Sequence, residues 1–365
     1  MKKKEKEIVS TLTFAVFIAV IGVFFVLNRV ITPPEISQSE RRPLATMPEF
    51  TLESVTTGKF MDEFDDFAAD SFAFRDKFRT IRAETVFYVL FQTDKSGLYL
   101  GKSGAGKFER VNESSVTQVA KKIKKVADTL VGLNVRYSFV PDKSIYAGKT
   151  LPGFNPALAE RLLKSELGAY TFIDLTAALN AFSFYRTDLH WNQSWIKPVA
   201  EAITGQTLDF SAYEVKTPGE FQGVYAGQLA LPIVWHELLD YYDNPDLKAS
   251  YLNEKTLQME GGAVYDTEAF HGRDPYDIFL KGPQALITLE NPNAATDREL
   301  YLFRDSFSSS LSPLLASHYA KITLIDLRYM DSRMLPQLVE FTPGSDALFL
   351  YSSQILNNST VLLVQ

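Results

Sequence analysis

LYLFRDSFSSSLSPLL, residues 300–315, predicts a buried strand that runs directly into a helix. Its first four residues are apolar, as in a parallel strand that is covered on both faces. After this strand, Phe307, Leu311 and Leu314 follow one another at the spacing of residues on one face of a helix. The polar residues 304–306 between them lie at the carboxyl end of the strand, where open α/β sheets place their reactive groups.

The rest of the chain repeats this alternation of strands and helices. Such a pattern is typical of a sheet with helices on both faces, so we predict an α/β domain with a mainly parallel sheet. The predicted strands are 98–100, 135–140, 170–173, 300–303, 322–327 and 347–351, and the predicted helices are 56–91, 113–130, 156–167, 175–181 and 193–204.

The N-terminal residues 8–28, IVSTLTFAVFIAVIGVFFVLN, contain no charged side chain. They are long enough to cross a hydrocarbon core of roughly 30 Å. Four lysines precede them within the first six residues, whereas basic residues follow them more sparsely, so we expect the N-terminus in the cytoplasm. A cleaved signal peptide is the alternative, but it has a shorter apolar region and a small-residue cleavage site. We therefore predict one uncleaved helix of a single-pass cell-membrane protein whose main domain is extracytoplasmic.

Composition then suggests the domain boundaries. Four prolines with few apolar neighbours follow the apolar segment, which is typical of a stalk. The remaining length fits one large domain. The predicted divisions are a cytoplasmic tail at 1–7, a transmembrane anchor at 8–28, a proline-rich stalk at 29–55 and one domain at 56–365, with 210–274 as an insertion of loops and short strands.

Composition also excludes several functions. The net charge is −7 without a basic stripe, which argues against nucleic-acid binding. The chain has no cysteine, and its four histidines lack the spacing of metal ligands, so we predict no disulfide, no metal and no cofactor. GKSGAGKF (101–108) matches a phosphate-binding loop up to its lysine, but Phe108 stands where Mg²⁺ needs a hydroxyl. We expect a hairpin there.

Two separate segments offer the parts of a catalytic triad. In YRTDLHWNQS (185–194), Asp188 lies two residues before His190, so in an extended loop the carboxylate and the imidazole point the same way. Ser306 follows the strand at 300–303, with Asp305 beside it as a supporting residue. The alternatives are a carboxylate that only caps a helix next to a packed histidine, and an N-cap role for Asp305 or Ser306.

Several ordered blocks resemble the DHHW proteins of Gram-positive bacteria, which are similar to the alginate O-acetylation proteins with an SGNH-hydrolase-like fold. The resemblance implies a three-layer α/β domain in which Ser306 is the nucleophile, His190 the general base and Asp188 the group that orients the imidazole. Trp191 would brace the loop. The blocks are SERRPLATMPEF, GKFMDEFDDFAADSFAFRDKF, VPDKSIYAGKTLP, YRTDLHW, FQGVYAGQL, YDIFLKGP, RDSFSSSLSPLLASHYAKITLIDLRY and FLYSSQIL.

The sequence departs from the family pattern at two places. Leu189 replaces a second histidine, although Asp-x-His-Trp itself is retained. A block that usually ends in Gly-Asn ends here in Gly282-Pro283, so Gly282 remains as a supporting residue without the asparagine amide. Proline also lacks a backbone donor.

The resemblance implies a serine-dependent O-acyl (acetyl) transferase or esterase that acts on a cell-surface polysaccharide. It also implies a membrane-bound O-acyltransferase as the partner that supplies the acyl group. Tyr225 and Trp235 are candidates for stacking on sugar rings, with core packing as the alternative. The alternative function is a non-catalytic glycan-binding or scaffolding protein of the cell envelope on the same fold.

Overall fold

The computed structural model describes residues 3–101, 104–147, 153–233 and 235–365. The chain forms two compact units. The first, which we call the anchor unit, contains the chain up to Phe91 together with Gly227–Pro232. The second, the main unit, contains Gln92–Ala226 and Ile233–Gln365. The boundary between them therefore lies 36 residues beyond the predicted end of the stalk at residue 55.

The anchor unit begins with the long helix α1, Lys3–Val30, whose part Ile8–Val30 has a mean hydropathy of 2.6. By length and composition this helix can cross a membrane. The elements that follow are β1 (Ile36–Ser37), β2 (Arg42–Pro43), α2 (Leu52–Thr56), α3 (Lys59–Asp70), α4 (Arg75–Glu84) and a π-helical turn (Thr85–Val89).

Two predictions for this unit differ from the structure. The helix predicted over 56–91 is interrupted at Gly58 and Phe74, which have left-handed backbone angles, φ 81° and 60°. The predicted stalk contains the antiparallel β1–β2 pair. Arg42 donates to both carboxylate oxygens of Asp70 at 2.7 Å, so this proline-rich segment is packed against the end of α3.

The main unit is built on an eight-stranded sheet in the order β11-β10-β12-β14-β13-β15-β6-β7. Its five strands from β14 to β7 are parallel, and β12, β10 and β11 extend one edge in antiparallel pairs. The elements of this unit are β3 (Asp94–Lys95), β4 (Leu98–Gly101), β5 (Gly104–Lys107), α5 (Glu113–Ala127), β6 (Asn134–Val140), α6 (Pro156–Leu167), β7 (Thr171–Phe172), α7 (Lys197–Thr204), β8 (Glu214–Glu220), α8 (Val224–Leu229, whose end belongs to the anchor unit), β9 (Leu238–Asp243), β10 (Lys248–Asn253), β11 (Gln258–Gly262), β12 (Leu286–Glu290), β13 (Glu299–Arg304), α9 (Phe307–Leu315), β14 (Lys321–Ile325), α10 (Leu335–Leu338), β15 (Asp346–Ser352) and α11 (Ser353–Leu356).

Alternate residues of the central strands enter two separate cores. Leu300 and Leu302 of β13 pack with residues of α7 and α9, whereas Tyr301 and Phe303 pack on the other face with residues of α5 and α6. This alternation is the expected result of the two-residue period of a strand. The predicted three-layer α/β architecture with a mainly parallel sheet is therefore confirmed.

Some predicted elements have other bounds or another form. The helix predicted at 175–181 is two short 3₁₀ turns, Thr176–Ala178 and Ala181–Ser183, because Asn180 caps a new turn between them. The helix predicted at 193–204 is a 3₁₀ turn, Gln193–Trp195, followed by α7. The predicted insertion at 210–274 contains the β8–β9 pair, but it also supplies β10 and β11 to the main sheet.

Candidate active site

Ser306 lies between β13 and α9, at the carboxyl end of a central parallel strand. The backbone of Ser306 is already helical, with φ −61° and ψ −25°, and its side chain caps no backbone N–H. Asp305 takes that part instead, because its Oδ1 accepts a hydrogen bond from Phe307 N–H at 3.1 Å. Its Oδ2 accepts from Ser352 N–H at 2.6 Å, which ties the junction to the end of β15. The hydroxyl of Ser306 is therefore left for another partner.

That partner is His190. Ser306 Oγ lies 2.8 Å from His190 Nε2, and His190 Nδ1 lies 2.7 Å from Asp188 Oδ1. Asp188 and His190 are 1% and 7% exposed, so the chain of hydrogen bonds is shielded from water along most of its length. The structure thus brings together these three residues, although His190 and Ser306 are 116 positions apart in the chain.

The charge of Asp188 fixes the direction of these hydrogen bonds. Burial alone raises the pKa of this carboxyl, but the hydrogen bonds from the His190 ring and from backbone N–H groups outweigh it and hold the pKa well below its usual range. The resulting carboxylate accepts a hydrogen bond from Nδ1–H. Nε2 is then the acceptor for the Ser306 hydroxyl, which is the arrangement that a general base needs.

Asp188 is also held in place by hydrogen bonds from a segment more than thirty residues later in the chain. Its Oδ2 accepts from Val224 N–H at 2.9 Å, and the Thr187 hydroxyl accepts from Gly223 N–H at 2.7 Å. A Cβ at Gly223 would lie 2.3 Å from the Cβ of Asp188, so only glycine allows this close approach. The FQGVYAGQL block therefore supports the carboxylate through its backbone.

Lys143 supports the same loop from inside the unit. Its buried ammonium donates to the carbonyl oxygens of Tyr185 at 2.6 Å and of Asp188 at 2.9 Å. Burial lowers the pKa of this lysine to about 8, although the charges of Asp188, Glu237 and Asp142 oppose the shift. The carboxylate of Glu237 accepts from the N–H groups of Arg186 at 2.6 Å and Thr187 at 2.9 Å.

The glycine-rich segment 101–108 is the predicted hairpin, formed by β4 and β5. Lys102 and Ser103 lie outside the described residues. Ala105 N–H donates to the Arg186 carbonyl at 2.7 Å, and a Cβ at Gly104 would lie 2.2 Å from that oxygen. Gly104 therefore permits close contact with Arg186, just before the Asp188–His190 loop.

Two aromatic residues position the imidazole and the helix behind it. The ring of Tyr276 stacks on His190 with centroids 3.8 Å apart and 7° between the planes. Its hydroxyl lies 2.8 Å from Ser310 Oγ. Trp191 Nε1–H donates to the Phe307 carbonyl at 2.7 Å, so Trp191 ties the loop to the first turn of α9.

Sequence reasoning missed Tyr276, Lys143 and Glu237. Tyr276 is one of 17 tyrosines, and its only signal is its place just before the YDIFLKGP block's apolar residues. Lys143 lies in the VPDKSIYAGKTLP block, but neither it nor Glu237 carries a local pattern that indicates its partners, which are backbone atoms and the Thr187 hydroxyl in a different part of the chain.

Gly282 has a structural rather than a donor role. Its N–H donates to the Phe279 carbonyl at 3.2 Å and is thus used within its own turn. Leu280, Lys281 and Gly282 all have positive φ, 54°, 55° and 69°, and a Cβ at Gly282 would lie 2.4 Å from the Asp277 carboxylate. In the described part of the chain the N–H of Ser306 makes no hydrogen bond, so it is the candidate donor to an oxyanion.

The structure disfavours the predicted sugar-stacking aromatics. Tyr225 and Trp235 are 3% and 8% exposed, so neither presents an open ring face. The Tyr225 ring instead faces Lys143, whose Nζ lies 5.7 Å from its centroid. The exposed aromatic side chains near the loop are Phe182 and Trp195, whose ring centroids are 5.6 Å apart. In the described residues no cluster of histidine, aspartate and glutamate has the arrangement of a metal site.

The fold of the main unit is an α/β fold of the SGNH-hydrolase-like kind. The chain is similar to the crystal structure of a DHHW family protein from Eubacterium siraeum, with a TM-score of 0.60 and 17% identity over 73% of this chain and 94% of that one. It is also similar to Bacillus cereus PatB1 solved with a sulfonyl adduct, with a TM-score of 0.57 and 15% identity over 73% and 98%.

These structures confirm the resemblance at the level of the fold. A second structure of Bacillus cereus PatB1 agrees, with a TM-score of 0.55 and 16% identity over 73% of this chain and 99% of that one. No model of a known protein family matches the chain, and no curated protein matches it.

Proposed function

We propose that this protein is a serine-dependent O-acyl (acetyl) transferase or esterase that acts on a cell-surface polysaccharide. The observation that carries the proposal is the continuous hydrogen-bonded series from Asp188 through His190 to Ser306, with distances of 2.7 and 2.8 Å. A hydroxyl whose proton can pass to a fixed imidazole is the nucleophile of acyl transfer.

In the first half of the reaction, Ser306 Oγ attacks the carbonyl carbon of an acyl donor while its proton passes to His190 Nε2. The C–O bond to the leaving group then breaks, and His190 returns the proton to that group. The Ser306 N–H stabilises the oxyanion of the intermediate. Asp188 stabilises the imidazolium, and the face of Tyr276 lies against the same ring.

In the second half, a sugar hydroxyl or water attacks the acyl-serine ester. His190 accepts its proton and then gives that proton to Ser306 Oγ as the ester bond breaks. A sugar hydroxyl as acceptor makes the protein a transferase, whereas water makes it an esterase. The free serine is regenerated in both cases.

The proposed location follows from α1, which is long and apolar enough to span a membrane. We place the N-terminus in the cytoplasm and the main unit outside. A membrane-bound O-acyltransferase would supply the acyl group on that side, and the tether keeps Ser306 close to the membrane from which the donor comes.

The proposal is tested with the full chain in detergent and p-nitrophenyl acetate as the probe. We expect hydrolysis and a transient mass increase of about 42 Da on Ser306, as acetyl-enzyme formation requires. Ser306→Ala removes both signals. Ser308→Ala is the matched control, since this neighbouring buried hydroxyl has no hydrogen-bond partner among the described residues.

A second probe follows from the similar structure that holds a sulfonyl adduct. We expect a sulfonyl fluoride to modify Ser306 and to block acetylation, with Ser308→Ala behaving as wild type. A wild-type protein that reacts with neither probe contradicts the enzyme and supports the non-catalytic scaffold, which the Leu189 and Pro283 departures would allow.

A further inference from the structure

Exposed apolar side chains lie along α4 and on its π-helical continuation. Phe78, Ile81 and Tyr88 are 43%, 56% and 54% exposed. Phe78 and Ile81 are three residues apart and share one face of α4, and Tyr88 is an exposed aromatic residue of the π-helical turn that continues the helix. We call these three residues the α4 apolar face. Soluble proteins rarely leave such a group uncovered.

The α4 apolar face is continuous with the membrane helix in the same unit. Phe78 contacts Phe24 of α1 with ring centroids 5.7 Å apart, and Phe72, just before α4, stacks on Phe24 at 5.1 Å. Ala73 N–H donates to the side-chain oxygen of Asn28 at 2.8 Å. The start of α4 is thus fixed against the last two turns of α1.

These contacts set the depth of the α4 apolar face. Phe24 lies six residues before the end of α1 at Val30, which is roughly 9 Å along the helix axis at 1.5 Å per residue. Amphipathic helices that lie in a membrane interface insert their apolar face by about 5–10 Å. Phe78 is therefore at the depth that an interfacial helix reaches.

The charged residues of α4 agree with this placement. Lys77 and Arg82 are exposed and flank the α4 apolar face, each roughly 100° around the helix from its sequence neighbour, Phe78 and Ile81 respectively. Long basic side chains at such positions reach the lipid phosphates while their stems stay in the apolar layer. Asp76 is 71% exposed and lies on the far side of the helix.

We infer that α4 and the π-helical turn lie in the extracytoplasmic interface of the membrane that α1 spans. The α4 apolar face enters the edge of the hydrocarbon core, and Lys77 and Arg82 lie at the phosphates of the lipid headgroups. The occupant of this surface is the bilayer itself. The inference rests on the proposed membrane insertion of α1. It gives the protein a second membrane contact, which fixes the orientation of the anchor unit rather than only its attachment.

The absence of native cysteine makes a direct test possible. Single spin labels are placed on the full chain in phospholipid nanodiscs at Ile81→Cys, at Asp76→Cys as the matched control on the same helix, and at Phe17→Cys within α1. Collision rates with oxygen, which concentrates in hydrocarbon, and with a water-soluble nickel chelate report the depth of each label.

We expect the oxygen-to-nickel ratio at residue 81 to exceed that at residue 76 several-fold and to approach the ratio at residue 17. Equal ratios at residues 76 and 81, with a high ratio at residue 17, refute the interfacial helix while α1 remains inserted. A low ratio at residue 17 refutes the insertion as well. A label at residue 81 that neither probe reaches shows a protein partner on this face and also overturns the proposal.

Discussion

Replacing the triad carboxylate tests the mechanism most sharply, and Asp188→Asn is the change that alters least else. The amide keeps one oxygen, which can still accept from the Val224 N–H that now lies 2.9 Å away. Its NH₂ group, placed toward His190, cannot accept a hydrogen bond from Nδ1–H. The imidazole then carries its proton on Nε2, where it no longer accepts a hydrogen bond from the Ser306 hydroxyl.

The size of the effect follows from that lost acceptor. Misplacing the tautomer in a serine–histidine–aspartate triad costs about 10⁴-fold in kcat. This equals about 5.5 kcal/mol of transition-state stabilisation. We expect a loss of the same order in the rate of acetylation of Ser306 by p-nitrophenyl acetate. We also expect the downfield proton resonance of the Nδ1–H to Asp188 hydrogen bond to disappear.

The control is Asp209→Asn, since Asp209 is a surface residue that bonds only to Ser211 in its own turn among the described contacts. Thermal unfolding of the Asp188→Asn protein shows whether the loop remains folded. A folded Asp188→Asn protein that acetylates within about tenfold of the wild-type rate, a difference of only about 1.4 kcal/mol, would refute the assigned role of Asp188.

Three further predictions concern the surroundings of the triad and the anchor unit. Gly223→Ala should slow the acetylation of Ser306 by at least about tenfold. The added Cβ would lie 2.3 Å from the Cβ of Asp188, so it must displace the carboxylate. Unchanged kinetics in a folded protein would contradict this prediction. Tyr276→Leu should reduce the rate of acetylation without abolishing it, because it removes the ring that stacks on His190 at 3.8 Å and stabilises the imidazolium; an unchanged rate in a folded protein opposes this reasoning. Hydrogen bonding to Arg42 holds the pKa of Asp70 at about 2 in the folded protein, below the value of about 3.9 in the unfolded chain. The contribution of Asp70 to the stability of the anchor unit is therefore complete above pH 4 and is lost as the pH falls towards 2. Hydrogen exchange at Ala45, whose N–H donates to Asp70 at 2.9 Å, should therefore lose protection in acid in the wild type, whereas Asp70→Asn should show little further loss.

Much of the fold was predictable because the signals are local. The predicted strands 135–140, 300–303 and 347–351 lie within observed strands, and 322–327 overlaps β14, which ends at Ile325, since a strand buried on both faces is largely apolar. The helix at 156–167 has the predicted bounds, with Asn155 as its cap. Prediction failed where the chain changes direction at ordinary residues. Phe74, which interrupts the helix predicted over 56–91, has φ 60° and no sequence feature that predicts this conformation.

The parts of the site were likewise predictable only where their signals are local in the sequence. The sequence by itself determined the apolar N-terminal helix, the strand-to-helix junction that exposes Ser306, and the spacing that lets Asp188 face His190, because each depends on neighbours within a few residues. Only the tertiary structure decided that these parts meet, that Tyr276 covers the imidazole, that Lys143 and Glu237 hold the loop, and that Tyr225 and Trp235 are buried. Those contacts join positions up to 116 residues apart through side-chain hydrogen bonds, backbone atoms and ring faces, which leave no periodic pattern in the sequence.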